Sequence, residues 1–345
     1  MRRTHVTRRR ARAIAVSAVG VLTAAFLGVG TADADPQADP ATARIVSIDK
    51  SGEQHWKIDV YSPSMDTVVP LDVLRPADTS VPRPILYVLN GAGIGVVKGS
   101  GWVESTDIID FFSDKNVNVV SPFAGNFSYY TDWVSDDPVL GRNKWETFLT
   151  EEIPPLLDAA LGADGVQSIM GMSMSAGSAL DLAARTGDFY SGVASFSGCV
   201  RVSDPLGKQY VKTVVEGRGN GNVDNMWGPD GDPQWIEHDV YLNAEKLRGK
   251  ALYVTSRNGA PGPFDTPGNA RISDDPNVLP VQIVLGGGIE LATGICTQQL
   301  VDKLGELGIP VTADVGAPGT HSWGYWEQDL RKSWPVLARS MGVEN

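Results

Sequence analysis

From residue 84 onward the chain repeats one alternation, a short unbroken apolar run followed by a segment with helical spacing. The runs are "PILYVLN" (84–90), "VNVVSP" (117–122), residues 165–170, "GVASFSG" (192–198), "ALYVTS" (251–256) and "PVTADV" (310–315). Runs without polar alternation are the mark of strands buried on both faces, as in parallel sheets. Helical patterns fall at 104–114, 145–161, 175–186, 290–307 and 322–340. The alternation predicts an α/β fold, a doubly wound and mostly parallel sheet with helices on both faces. Ahead of it, "ARIVSID", "HWKIDVYS" and "VVPLDVLRP" alternate apolar with polar and predict an antiparallel meander. Residues 200–240 hold "EGRGNGNVDNMWGPDGDPQW" and read as a long loop, a length that is often functional. Met226 and Trp227 are large apolar side chains within it.

The first 34 residues read as a leader. Arg2, Arg3, Arg8, Arg9, Arg10 and Arg12 precede an apolar run from Ala13 to Val29, and Ala32-Asp33-Ala34 forms a cleavage pattern. This predicts a signal peptide over 1–34. The run falls short of the roughly 20 apolar residues of a membrane span, and Gly20, Gly28 and Gly30 dilute it, so the mature protein is not expected to span a membrane. Residues 35–42 read as a flexible mature N-terminus and 43–345 as a single domain. Removing a leader with six Arg and one Asp takes the net charge from −12 to −17. So acidic a surface argues against nucleic acid and anionic headgroups as partners. Cys199 and Cys296 are the two cysteines. In an exported chain they predict a disulfide rather than a metal site. No metal and no organic cofactor is expected.

"SIMGMSMSAGSAL" (168–180) contains four serines. The apolar run before it and the helical pattern after it put "GMSMS" on a strand-to-helix turn, the context of a nucleophile elbow. Ser168 falls inside the strand and Ser175 and Ser178 inside the helix, which leaves Ser173. Gly171 is expected to permit the sharp turn. A serine nucleophile needs a base. His321, in "GAPGTHSWGYW", follows the last predicted strand, as the order serine, acid, histidine requires; His55 and His238 do not. The acid should follow "ALYVTS", where Asp265, Asp274, Asp275 and Glu290 are all eligible. The oxyanion hole is expected from the N–H groups of Met174 and of Ala92, in "LNGAG".

These residues resemble the antigen 85 mycolyltransferases, most of all the corynebacterial-type members. The resemblance runs over about residues 80–340 and rests on "YYTDW" (129–133), "KWETFLTEEIP" (144–154), "GMSMSAGSAL" (171–180), "NMWGP" (225–229), "DPQW" (232–235), "RNGAP" (257–261) and "THSWGYW" (320–326). It implies an α/β-hydrolase fold over 43–345. It implies Ser173 as nucleophile, Glu290 as acid and His321 as base, with Ser322 and Trp323 lining a trehalose site. Asn90 and Gly93 stand where the family commonly has a sugar-contacting aspartate and arginine. Arg201 replaces an aspartate, Ser256 replaces a cysteine, and Cys199 and Cys296 are additional. A Cys199–Cys296 bridge would tie a loop to the Glu290 segment. The activity implied is transfer of a mycolyl group from trehalose monomycolate to a sugar hydroxyl, of trehalose monomycolate or cell-wall glycan, in the cell envelope. A secreted carboxylesterase with the same triad and a non-catalytic cell-wall-binding protein are the alternatives.

Overall fold

In a computed structural model, the described residues are 41–269, 271, 272 and 275–344. The expected leader, the tail up to residue 40 and Asp274 lie outside them. Among the described residues nine strands form one sheet: β1 Arg44–Asp49, β2 His55–Ser62, β3 Thr67–Leu74, β4 Arg83–Val88, β5 Asn118–Pro122, β6 Ala163–Met172, β7 Gly192–Phe196, β8 Ala251–Arg257 and β9 Thr312–Ala317. Their spatial order is β1-β2-β3-β5-β4-β6-β7-β8-β9. β1, β2 and β3 pair antiparallel, and β3 joins β5 antiparallel. All pairings from β5 to β9 are parallel.

The sequence texture follows this division. β5 and β7 are buried along their whole length, whereas β2 alternates toward its end. In the parallel half, neighbours on one strand feed opposite layers because side chains alternate across a sheet. Ile85 and Tyr87 of β4 join one core, with Ile169 and Val193. Leu86 and Val88 join the other, with Met170 and Ala194. Helices close both layers, among them Met174–Arg185, Val278–Glu306 and Trp323–Ser340. Ala92, Ser173 and His321 all fall just beyond the carboxyl ends of strands, where open α/β sheets hold their ligands.

Two expectations are corrected. Residues 200–240 are not a long loop: helical turns occupy Pro205–Lys212, Thr213–Arg218, Val223–Trp227 and Pro233–Glu237. The side chains of Asp204, Asn222 and Asp232 cap three of these turns, and Pro205 and Pro233 sit in first turns. Proline there loses no hydrogen bond and starts a helix rather than breaking one. The segment expected as one helix over 104–114 is two, Trp102–Ser105 and Ile108–Phe112. Thr106 between them is extended, and its hydroxyl bonds the Trp102 carbonyl at 2.6 Å in place of a continued helix.

Candidate active site

β6 ends at Met172 and a helix begins at Met174, so Ser173 alone makes the turn. It does so at φ 56° and ψ −121°, a backbone conformation unfavourable for a residue with a side chain. Gly171 permits the turn by its lack of a side chain: a Cβ there would lie 2.2 Å from the Ser175 carbonyl oxygen. Ser175, standing where a second glycine was the usual pattern, fastens the elbow. Its hydroxyl accepts from the Met172 amide at 3.0 Å and lies 3.1 Å from the Met172 carbonyl. The Ser173 amide bonds the Phe196 carbonyl of β7 at 2.8 Å. The strain is thus held by hydrogen bonds on both sides.

His321 lies 2.8 Å from the Ser173 hydroxyl through Nε2 and 2.7 Å from Glu290 Oε1 through Nδ1. Three side chains separated by up to 148 residues form one hydrogen-bonded line. Glu290 is fully buried. Its second oxygen accepts from the Arg257 amide at 2.7 Å and the Ser256 hydroxyl at 2.9 Å. Burial pushes the Glu290 carboxyl up, but the hydrogen bond and charge of His321, the Arg257 amide and the Ser197 hydroxyl together hold it below its ordinary value. An ionised carboxylate fixes the imidazole with Nδ1 protonated, leaving Nε2 free to take the serine proton. The edge of Trp326 packs on the imidazole at 4.8 Å, and its indole donates to the Ser197 hydroxyl at 3.2 Å.

Of the other eligible acids, Asp265 has a different place. It accepts from the Gly262 amide at 2.8 Å, the Thr320 hydroxyl at 2.5 Å, the Tyr325 hydroxyl at 2.6 Å and Gln282 Nε2 at 2.7 Å. It therefore ties the loop after β8 to the residue before His321 and to the helix that carries Glu290. Asp275 lies exposed at the far end of that loop. His55 and His238 pair with Asp72 and Asp181, away from Ser173.

Ala92 and Met174 flank the serine. Met174 is the first residue of its helix, and such N–H groups have no intrahelical acceptor. Ala92 lines one cleft with Gly91, Gly93, Ser173 and His321. Its carbonyl is held by the Phe127 amide at 3.1 Å. Phe127, Tyr129 and Tyr130 behind it all have positive φ, a cluster of backbone strain beside the site. Nothing in the residue types signalled it.

Ser173 sits between two unlike spaces. On one side is a cavity of about 140 Å³ walled by Tyr129, Met174, Val202, Val211, Val214 and Ile289. On the other is an open cleft of about 290 Å³ that adds Ser100, Arg271, Gln282, Ser322 and Trp323. Gly93, Ser322 and Trp323 thus reach the cleft, and the buried Ser322 hydroxyl has no partner among the described residues. Asn90 does not reach it. Its amide donates to the Ser121 hydroxyl and the Pro122 carbonyl, both at 2.9 Å, and its oxygen accepts from the Trp102 amide at 3.1 Å. With those bonds made and 1% exposure, it braces the turn rather than meeting a ligand. Met226 and Trp227 are also buried away from the apolar cavity, where Trp227 stacks on His238. The 200–240 segment borders the cavity instead through residues between Val202 and Arg218.

Cys199 and Cys296 form a disulfide with Cα atoms 5.1 Å apart. It joins the loop after β7, which lines the cavity, to the Glu290 helix two turns on. Among the described residues no cluster of His, Cys, Asp and Glu has the makings of a metal site.

A mostly parallel sheet with Ser, His and Glu joined at its carboxyl edge defines the α/β-hydrolase fold with a serine-hydrolase type of site. The Esterase family model matches residues 62–336. The chain is 31% identical over 294 residues to the diacylglycerol acyltransferase/mycolyltransferase Ag85A of Mycobacterium tuberculosis, covering 83% of this chain and 81% of that one. To the Ag85A of Mycobacterium leprae it is 29% identical over 340 residues, 96% of this chain and 94% of the relative. The chain belongs to the esterase family and, within it, to the antigen 85 mycolyltransferase family of enzymes. The crystal structure of MPT51 (FbpC1) from Mycobacterium tuberculosis shares the fold with a TM-score of 0.66 at 22% identity, over 81% of this chain and 96% of that one. A ferulic acid esterase shares it with a TM-score of 0.55 at 16% identity, over 87% of this chain and 99% of that one.

Proposed function

We propose that this protein is an exported acyltransferase that moves a mycolyl group from trehalose monomycolate to a sugar hydroxyl, of a second trehalose monomycolate or of cell-wall arabinogalactan. The observation that carries the reading is His321 bridging Ser173 and Glu290 at the boundary between an apolar cavity and a polar cleft. An ester has that same division, an acyl chain on one side of the carbonyl and an alcohol on the other.

In the first half, His321 Nε2 takes the Ser173 proton as the serine oxygen bonds to the ester carbonyl carbon. The Ala92 and Met174 amides stabilise the oxyanion. The carbon–oxygen bond to trehalose then breaks, and His321 returns the proton to the leaving sugar oxygen. In the second half, the acceptor hydroxyl gives its proton to His321 and attacks the acyl-serine, which is released with its proton restored. Glu290 stabilises the charged imidazole in both halves. Gly93, Ser322 and Trp323 are assigned to the sugar side.

Hydrolysis uses the same residues with water as acceptor, and the kinship with a ferulic acid esterase fold keeps it as the second reading. Partitioning separates the two. A labelled acyl-enzyme made from a trehalose monoester should discharge to added trehalose faster than to water; discharge at a rate indifferent to sugar would establish an esterase.

A further inference from the structure

The helix Val278–Glu306 is long and apolar enough to cross a membrane, yet one of its faces is built into the domain. Glu290, Thr293, Cys296, Thr297, Leu300 and Leu304 are buried on that face. The opposite face is exposed and aliphatic. Val281 is 56% exposed, Val284 77%, Leu285 63%, Leu291 58% and Ile295 50%, with Gly288 between them. These positions recur at steps of three and four, so they form one stripe along successive turns. From Val278 to Val301 the only charged residue is the buried Glu290. At the chain average of 20% charged residues, a stretch of that length would hold about five.

The stripe is continuous with the site. Leu285 and Ile289 line a groove with His321, and Ile289 also lines the apolar cavity with Ser173. Across the cleft, Val96 and Val97 are 60% and 50% exposed on the turn after Ala92. Val97 and Gln282 face the same cleft. Exposed aliphatic residues thus stand on two sides of the opening that leads to the serine.

Building on the acyltransferase reading, we propose that this stripe docks on the surface of an uncharged lipid layer, seating the cleft mouth where acyl chains can enter without crossing water. The choice of occupant follows from chemistry. Protein-binding hot spots are rich in Trp, Tyr and Arg, and the stripe has none. A helix that lies in a lipid interface buries an aliphatic face to the depth of the headgroup boundary. A net charge of −12 disfavours anionic headgroups and leaves neutral glycolipid or zwitterionic lipid.

The test uses the protein as recovered from the culture medium of its host, and vesicles of phosphatidylcholine carrying a long-chain trehalose monoester. The protein is expected to float with the vesicles, and the double variant Val284→Asp/Leu291→Asp to lose at least tenfold of that partitioning. Hydrolysis of water-soluble p-nitrophenyl butyrate should stay within twofold, since neither residue lines the cleft or the cavity. Val284→Trp should float more than the wild type, which guards against a loss caused by misfolding. Flotation of the double variant equal to the wild type, or no flotation of the wild type, overturns the docking. So does sedimentation showing a dimer that the double variant dissolves with no change on vesicles, which would make a second copy the occupant. Loss of butyrate cleavage and of acylation at Ser173 in every form would overturn the acyltransferase reading while flotation still reports on docking.

Discussion

The helix Val278–Glu306 has two faces made to different rules. Inward, Glu290 is buried and its carboxylate is held by specific hydrogen bonds, among them those to His321, Arg257 and Ser256. Outward, Val284 and Leu291 stand in solvent among other aliphatic side chains. The inward face is intolerant because a buried polar group that loses its partner bears its desolvation cost alone. The outward face obeys no such geometry; under the docking proposal its aliphatic side chains lie against lipid. One element thus carries a carboxylate fixed by hydrogen bonds on one face and, on the opposite face, a surface defined only by what it lacks.

The inward side of this contrast is the easier to break. Ser173→Ala should cost about 10⁶-fold in turnover, the scale seen when a serine nucleophile is removed, measured by initial rates on a soluble ester. Glu290→Gln should cost about 10⁴-fold through loss of the correct tautomer and of the imidazolium's partner. The disulfide fastens the same helix at the sequence separation of 97 residues. Replacing both Cys199 and Cys296 by serine should lower stability by roughly 4–5 kcal/mol at most on the chain-entropy account, read by denaturant unfolding. Asp265→Asn should lower kcat about tenfold to a hundredfold with KM little changed, because it loosens the residue before His321 rather than touching substrate; a purely structural role would instead lower the melting temperature and leave the kinetics of the folded protein intact.

Much of this is legible in the sequence. The apolar runs located the parallel strands because a strand buried on both faces has no room for polar alternation, and β4, β5 and β7 have that pattern. Ser173 and His321 stood out because each follows a strand at the required place in chain order. The acid did not. Asp265 and Glu290 both follow β8 and both are heavily hydrogen-bonded; in the fold Glu290 reaches His321 and Asp265 reaches Thr320. The bracing contacts of Ser197, Ser256 and Trp326 are not legible in the sequence, because a hydroxyl or an indole that supports a carboxylate or imidazole carries no motif of its own. Residues 200–240 look like loop in the sequence because proline and glycine often break helices, whereas here capped first turns use proline as a starter.

The smallest expected effect concerns acid stability. The Glu290 carboxyl is held below its ordinary value of 4.5, so its ionised form stabilises the fold above that pH. That contribution is lost as pH falls through the depressed value. The stability gap between wild type and Glu290→Gln should therefore narrow as pH drops below about 4.5, followed by thermal melts across an acid series. A gap that is constant or widens would mean that Glu290 is not charged in the folded protein.

The most direct measurement is mass spectrometry of the protein after brief exposure to a trehalose monoester. An acyl mass is expected on the peptide that contains Ser173, absent from Ser173→Ala and removed faster by added trehalose than by buffer. An unmodified Ser173 peptide in an enzyme that is turning over the ester, or an adduct that persists in Ser173→Ala, would contradict the role given to this serine.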